Sequence, residues 1–574
     1  MKFLSVALTL VVIPALFCGC SGCVNSSNSI DARDKIEKSG EQKTTSGSEK
    51  STDGGAKTPA IASEAGGSES GAKTGLGKTK AADLSDECRE SHRELRALRL
   101  RIPFVFHDLK RSTKDIDKDV REAISIAEKF LVDCSPTEID AWVKSFLARD
   151  LSTRYKRYQS ELKKSLESEL APIGGKLSPA QREEVNKTLR AMMRDYLARI
   201  DKLCAEGLAD SELKSVTHCN CLGVLADKDF TFTRKFEEFR KNAFAYVNNG
   251  CDSVIPNGQD YDYSIGMSYV MEGLYQEAQE HFEKVIKKKA DSPEVVLYNI
   301  GLWEALYALG DLESGQALLM RIRDEYGKKL DDKSFTDSLS KTLFNQYQQW
   351  YYISDFWIAF CDYALGNDDA ALAGFRTYND RADQFQEQLK FLNRQLPPVI
   401  RIYRDFRSRE FVMMLEEHQG QPAKADFDVG IEWAYGEPLT IRQSKDKVLA
   451  VLFRQPQNAR GTPFLREINK FVEDNPDTFA AATFGFVPFV LNEAAKAARF
   501  DNMTKELTSL GIKFPGGFDV TENSRVFRTL NATVGTASMI IFDAEGRVAW
   551  FHVDPTSNDI NVLDRVIGRL IKNR

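Results

Sequence analysis

The residues best equipped for chemistry are cysteines. Of the 10 in this chain of 574 residues, six (Cys88, Cys134, Cys204, Cys219, Cys221 and Cys251) fall in one stretch ahead of the middle of the chain. Their tightest group is His218-Cys219-Asn220-Cys221. Thiolate and imidazole together bind Zn²⁺, and a Cys-x-Cys pair can exchange disulfides. A structural zinc site is commonly built from two separate ligand pairs, however, and only one compact group is present. An even set of cysteines behind an export signal reads first as structural disulfides, so no metal ligand is assigned. Spacing does not fix the pairing, and Cys219 with Cys221 is the closely spaced pair that a redox reading would use. Cys361 stands apart in a helical, apolar stretch and reads as a buried thiol.

Other catalytic constellations are missing. His552 lies in a strand-like run with Asp554 two residues on, but no nucleophile is placed beside them. Dinucleotide-binding and Walker glycine patterns are absent. With 84 acidic against 78 basic residues the net charge is −6, which gives no basic face for nucleic acid. No catalytic residue and no cofactor are assigned, and enzymatic activity is not expected.

The elements that would position these residues begin with an export signal. Met1-Lys2 is followed by an apolar run to Phe17 and then by Cys18-Gly19-Cys20-Ser21-Gly22-Cys23. That run is too short to span a bilayer comfortably, so a removed signal is expected. It resembles bacterial lipoprotein signals, which implies lipid on Cys20, with Cys23 as the alternative, and a place in the bacterial cell envelope facing the periplasm or the outside. Residues 1–20 are the signal. Residues 21–85 are a linker of Ser, Gly, Thr, Ala, Lys and Glu, too poor in apolar groups to offset chain entropy and therefore expected to be disordered. A tether of ~60 residues spans about 40 Å on average.

Residues 86–255, which hold the six cysteines, read as a helical domain. Ile116, Val120, Ile124, Ala127 and Leu131 follow helical spacing, as do Val185, Leu189, Met192, Tyr196, Ile200 and Leu203. Ser135-Pro136-Thr137-Glu138 and Ser178-Pro179-Ala180-Gln181 each carry the signature of a capping box with Pro at the first helical position.

Residues 256–420 are repetitive. Gly266, Tyr269, Gly273, Ala278 and Phe282 occupy the small and aromatic positions of a tetratricopeptide repeat, and Gly310 with Gly315 and Gly366 with Ala371 repeat the turn-plus-five pattern. The resemblance implies an α-solenoid whose curved face suits extended partners. The turn glycines are 37 and then 56 residues apart, against about 34 in that family, so an additional helix or loop is expected between Tyr326 and Tyr352. Tyr347, Trp350, Tyr351, Tyr352, Phe356 and Trp357 read mostly as core. Pro397-Pro398 interrupts the later helices, and residues 419–422 read as a linker.

Residues 426–574 change pattern. Val448-Leu449-Ala450-Val451-Leu452-Phe453 reads as a strand buried on both faces, followed by a loop and a helix start at Thr462-Pro463. Residues 537–543 and 547–553, joined by Ala544-Glu545-Gly546, read as a hairpin. Ile560, Leu563, Val566, Ile567, Leu570 and Ile571 then follow helical spacing. This order, with Phe514-Pro515, Phe518-Asp519 and 537–546, resembles the thioredoxin superfamily, particularly envelope-anchored disulfide reductases and peroxiredoxins. The resemblance implies a Cys-x-x-Cys after the first central strand, its thiol activated at a helix N-terminus, and a cis-proline before the hairpin. Here the loop at 454–461 holds no cysteine, Asn458 and Gly461 stand in the redox region, and Ala537 stands at the proline position.

The fold class expected is therefore multidomain, α plus α/β: a helical domain and a tetratricopeptide-like α-solenoid followed by a thioredoxin-like α/β sandwich. The function expected is a lipid-anchored envelope scaffold or adaptor, contacting other envelope proteins or extended peptides and the membrane through its lipid, with no nucleic acid. The competing expectation is an envelope thiol–disulfide oxidoreductase using Cys219 and Cys221.

Overall fold

The computed structural model describes residues 80, 83–101, 113–170, 177–255, 260–391, 394–423, 430–454, 462–486, 493–520, 537–553 and 555–572. The lipidation candidates Cys20 and Cys23, the loop residues Asn458 and Gly461, and Asp554 lie outside them. The chain forms two compact units, 1–259 and 260–574.

The first unit is helical: α1 Asp86–Arg101, α2 Thr113–Asp133, α3 Asp140–Leu170, α4 Pro179–Ala209, α5 Val216–Lys228, α6 Phe236–Asn248 and the single turn α7 Cys251–Val254. Val120, Ala127 and Phe130 of α2 meet Val143, Leu147 and Leu151 of α3 and Ile200 of α4 in one apolar cluster. The capping box at Ser178 is formed, with Pro179 at the first turn and Gln181 reaching back to the Ser178 backbone. The one at Ser135 is not. There the hydroxyls of Ser135 and Thr137 both turn to the carboxylate of Asp140, and the helix starts at Asp140. On α4 the buried stripe runs through Met193, while Met192 is exposed.

The second unit opens with a stack of helices: α8 Asp262–Glu272, α9 Tyr275–Lys288, α10 Val295–Leu309, α11 Leu312–Asp331, the short α12 Lys333–Ser338, α13 Lys341–Leu365, α14 Asp368–Phe391, α15 Pro398–Tyr403 and α16 Arg409–Glu417. The additional residues before Tyr352 supply α12 and the first turns of α13. Gly273, Gly310 and Gly366 end α8, α10 and α13 in the left-handed conformation that glycine adopts without strain. Tyr347, Phe356 and Trp357 are core, and Trp350, Tyr351 and Tyr352 pack on it half-buried.

A mixed sheet follows, with strands β1 Ile431–Tyr435, β2 Val448–Phe453, β3 Phe479–Phe486, β4 Gly516–Asp519, β5 Ser538–Phe542 and β6 Val548–Val553 in the order β1-β4-β3-β2-β5-β6. β2 is central, parallel to β3 and antiparallel to β5, and every one of its residues is buried. Helices α17 Thr462–Asp474, α18 Glu493–Ser509 and α19 Ile560–Lys572 complete this part. Residues 419–423 run beside β6, Gly420 N–H donating to Val548 C=O and Val548 N–H to Gln421 C=O. A single apolar core extends from Tyr263 through the helices and the sheet to Ile567.

Candidate functional site

At the end of β2 the chain reaches the position where the resembling family places its thiol. Phe453 is in register with Ser538, so Arg454 and Ala537 come next to each other on adjacent strands just before the loop at 455–461. Arg454 is buried, its guanidinium 2.9 Å from Glu506 and 3.4 Å from Thr483 Oγ1. The register thus sets Ala537 opposite Arg454. No cysteine follows Cys361 anywhere in the sequence, so nothing in the sheet can form a thiolate.

The cysteines are elsewhere and separately engaged. Cys88 is bonded to Cys134 and Cys219 to Cys251. Cys204, Cys221 and Cys361 are buried thiols. Cys219 and Cys221 are therefore not a redox pair: two residues apart on α5, one is tied to α7 and the other enters the core against α4. Burial pushes the Cys361 thiol far above its usual range, which keeps it protonated and inert. Among the described residues no group of three His, Cys, Asp or Glu side chains converges as a metal site.

The strongest concentration of buried polar groups lies where β6 and α19 meet the helix stack. His552 sits in β6 under Phe360, the rings 5.2 Å apart, with Nε2 3.1 Å from Asp559 Oδ1. Asp559 also accepts the Tyr307 hydroxyl from α10 and the Thr556 hydroxyl at 2.8 Å. Burial alone would raise the Asp559 carboxyl, but His552, Tyr307 and the Thr556 N–H together hold it below the ordinary carboxylate value. Tyr363 of α13 accepts the Phe551 N–H at 2.8 Å, and Gln419 Nε2 donates to Ala549 C=O at 2.9 Å. The carboxylate and phenols are enclosed by aromatic rings and hydrogen-bonded, whereas the buried His552 ring lies against Asp559 with neither nitrogen in a hydrogen bond of good geometry.

α19 does the rest of the joining. Its apolar side chains Val562, Leu563, Val566 and Ile567 are buried in the shared core, while its polar ones reach the ends of the helices. Asn561 Nδ2 donates to Ala308 C=O, Arg565 Nη1 to Gly310 C=O at 3.0 Å, and Arg569 Nη1 to Ala364 C=O at 3.1 Å. These are terminal carbonyls of α10 and α13, which have no partner inside their own helices. Cations at helix C-termini also complement the helix dipole. Arg565 additionally pairs with Glu313 at the start of α11, 2.7 Å away. Tyr307, Tyr363, Asn561, Arg565 and Arg569 carry no local sequence signal, because these partners lie 188 to 255 residues away.

Neither a family model nor a curated protein matches the chain. Solved structures similar to it include a thiol-disulfide isomerase from Corynebacterium glutamicum, at 20% identity over 24% of this chain and 90% of that one, TM-score 0.20. A secreted disulfide oxidoreductase from Mycobacterium tuberculosis shows 12% identity over 24% and 93%, TM-score 0.19. The bacterioferritin comigratory protein of Xanthomonas campestris shows 12% identity over 27% and 96%, TM-score 0.21. Each likeness covers about a quarter of this chain and concerns architecture alone.

The strand order, the parallel β2–β3 pair and the closing β5–β6 hairpin with α19 define the class: a large helical protein ending in a thioredoxin-like sheet with its helices.

Proposed function

We propose that the protein is a lipid-anchored scaffold or adaptor of the bacterial cell envelope that holds other proteins without exchanging thiols with them. The observation that carries this reading is the cysteine-free passage from β2 into residues 454–461, where a thioredoxin-like reductase needs its thiolate. Fold alone does not confer the chemistry of its relatives. The two disulfides fit an oxidising, extracytoplasmic setting, and Cys20, or else Cys23, is the residue for lipid attachment.

The partners proposed are other envelope proteins or extended peptides.

Insulin reduction by the mature full-length protein tests the central claim. The expected result is a rate equal to the dithiothreitol background and unchanged by Cys219→Ser, whereas robust turnover abolished by that substitution overturns it. Mass spectrometry of the mature N-terminus tests the anchor separately, and an unlipidated N-terminus on a released product removes it. Crosslinking in envelope membranes then names the partner.

A further inference from the structure

Among the described residues of the first unit, Cys204 and Cys221 are the two cysteines outside a disulfide. Both are fully buried and belong to the same apolar cluster. Cys204 lies on α4, and Gly207 follows it one turn along the same face. A Cβ on Gly207 would stand 2.7 Å from Cys221 Sγ, so the α5 sulfur rests directly on the α4 face that carries Cys204. Gly207 leaves the room that this approach needs, since any side chain there would push the sulfur away. The neighbouring Cys221 is the largest influence raising the Cys204 thiol. No third ligand joins them among the described residues, which sets the pair apart from a metal site.

We infer that Cys204 and Cys221 form a third disulfide, closed by exchange with a small-molecule or protein disulfide in the compartment where the other two bonds form. The thiolate of one attacks the donor disulfide, breaking its S–S bond and releasing one donor thiol. The second cysteine then attacks the mixed disulfide and releases the other. Two cysteine S–H bonds are lost, one S–S bond is gained, the donor is reduced to two thiols, and the cysteine protons leave with them. In the folded protein the neighbouring Cys221 and burial both push the Cys204 thiol up, so little thiolate forms once α4 and α5 have packed. Closure therefore belongs to folding, and the finished bond is shielded from reductants. All six cysteines between residues 86 and 255 are then paired.

The test is disulfide mapping of the full chain, exported to an oxidising compartment, purified without reductant, denatured in iodoacetamide and digested unreduced. The expected result is a linked Cys204–Cys221 peptide and no alkylation of either residue, beside intact Cys88–Cys134 and Cys219–Cys251 links and an alkylated Cys361. In a second arm, protein made reduced and refolded with glutathione disulfide gives the same three links, and Cys221→Ser leaves Cys204 alkylated while the other two persist. Alkylation of both thiols in most molecules that hold the other two bonds overturns the inference, as does a link from either residue to a different cysteine.

Discussion

Glu304 is a carboxyl group placed where a charge is costly, and its replacement gives a sharp test of the helix stack. It lies on α10 with 6% of its surface exposed, and burial pushes its pKa from the ordinary 4.5 up to about 8. No positive charge among the described residues offsets that burial. Below the ordinary value both folded and unfolded chains hold the proton. Between 4.5 and about 8 the unfolded chain loses it while the folded chain keeps it, so unfolding releases a proton and stability falls as pH rises. At one pKa unit per 1.36 kcal/mol, the lost stability reaches roughly 3 kcal/mol at pH 7 and about 5 kcal/mol above pH 8.

Glu304→Gln matches the protonated side chain in shape and cannot ionise. The variant is expected to lie within about 1 kcal/mol of the native protein at pH 5, and to exceed it by roughly 3 kcal/mol at pH 7. Urea unfolding followed by tryptophan emission reads this directly, because five of the six tryptophans belong to the second unit. A gain of that size moves the urea midpoint by on the order of 1 M. A difference between the two proteins that stays constant from pH 5 to pH 8, or a variant less stable at pH 8, refutes the reasoning.

Asp559→Asn is expected to cost about 1–3 kcal/mol at neutral pH by replacing the charged acceptor of the Tyr307 and Thr556 hydroxyls. Because the folded-state value of Asp559 is lowered, its contribution is present above the ordinary carboxylate value and fades as pH falls through the lowered one. Calorimetry should accordingly show the native–variant difference shrinking below about pH 4. Gly273→Ala and Gly310→Ala both place a Cβ on a left-handed residue, at φ +77° and +74°, a strain of about 1–2 kcal/mol each. Only the second meets Asn561 C=O, at 3.2 Å, so it should be the more damaging and should alone speed hydrogen exchange in α19. Tyr363→Phe leaves the buried Phe551 N–H without an acceptor, a loss of about 1–3 kcal/mol visible as a lower Tm.

The central strand was legible because six consecutive apolar residues can be buried on both faces only in the middle of a sheet, and the turn glycines because left-handed helix ends favour glycine. The Ser178 cap was legible for the same local reason. Ser135 carries the same local signal and does not cap, because Asp140 takes its hydroxyl instead. The pairing of Cys219 escaped for a different cause. Its near neighbour in sequence, Cys221, is two residues along a helix and therefore on another side of it, while Cys251 returns from a distant turn. In the candidate site, the missing thiol could be read directly from 454–461, whereas the contact around Asp559 depends on tertiary pairing alone.

That contact joins the sheet to these helices. A stack of helix pairs leaves its outer helices with an apolar face and with terminal carbonyls, and such stacks require a capping element with a polar exterior. α19 meets both needs at once: Val562, Leu563, Val566 and Ile567 enter the common core, and Asn561, Arg565 and Arg569 satisfy carbonyls at the ends of α10 and α13. The thioredoxin-like part is thus packed on the helices chiefly through α19.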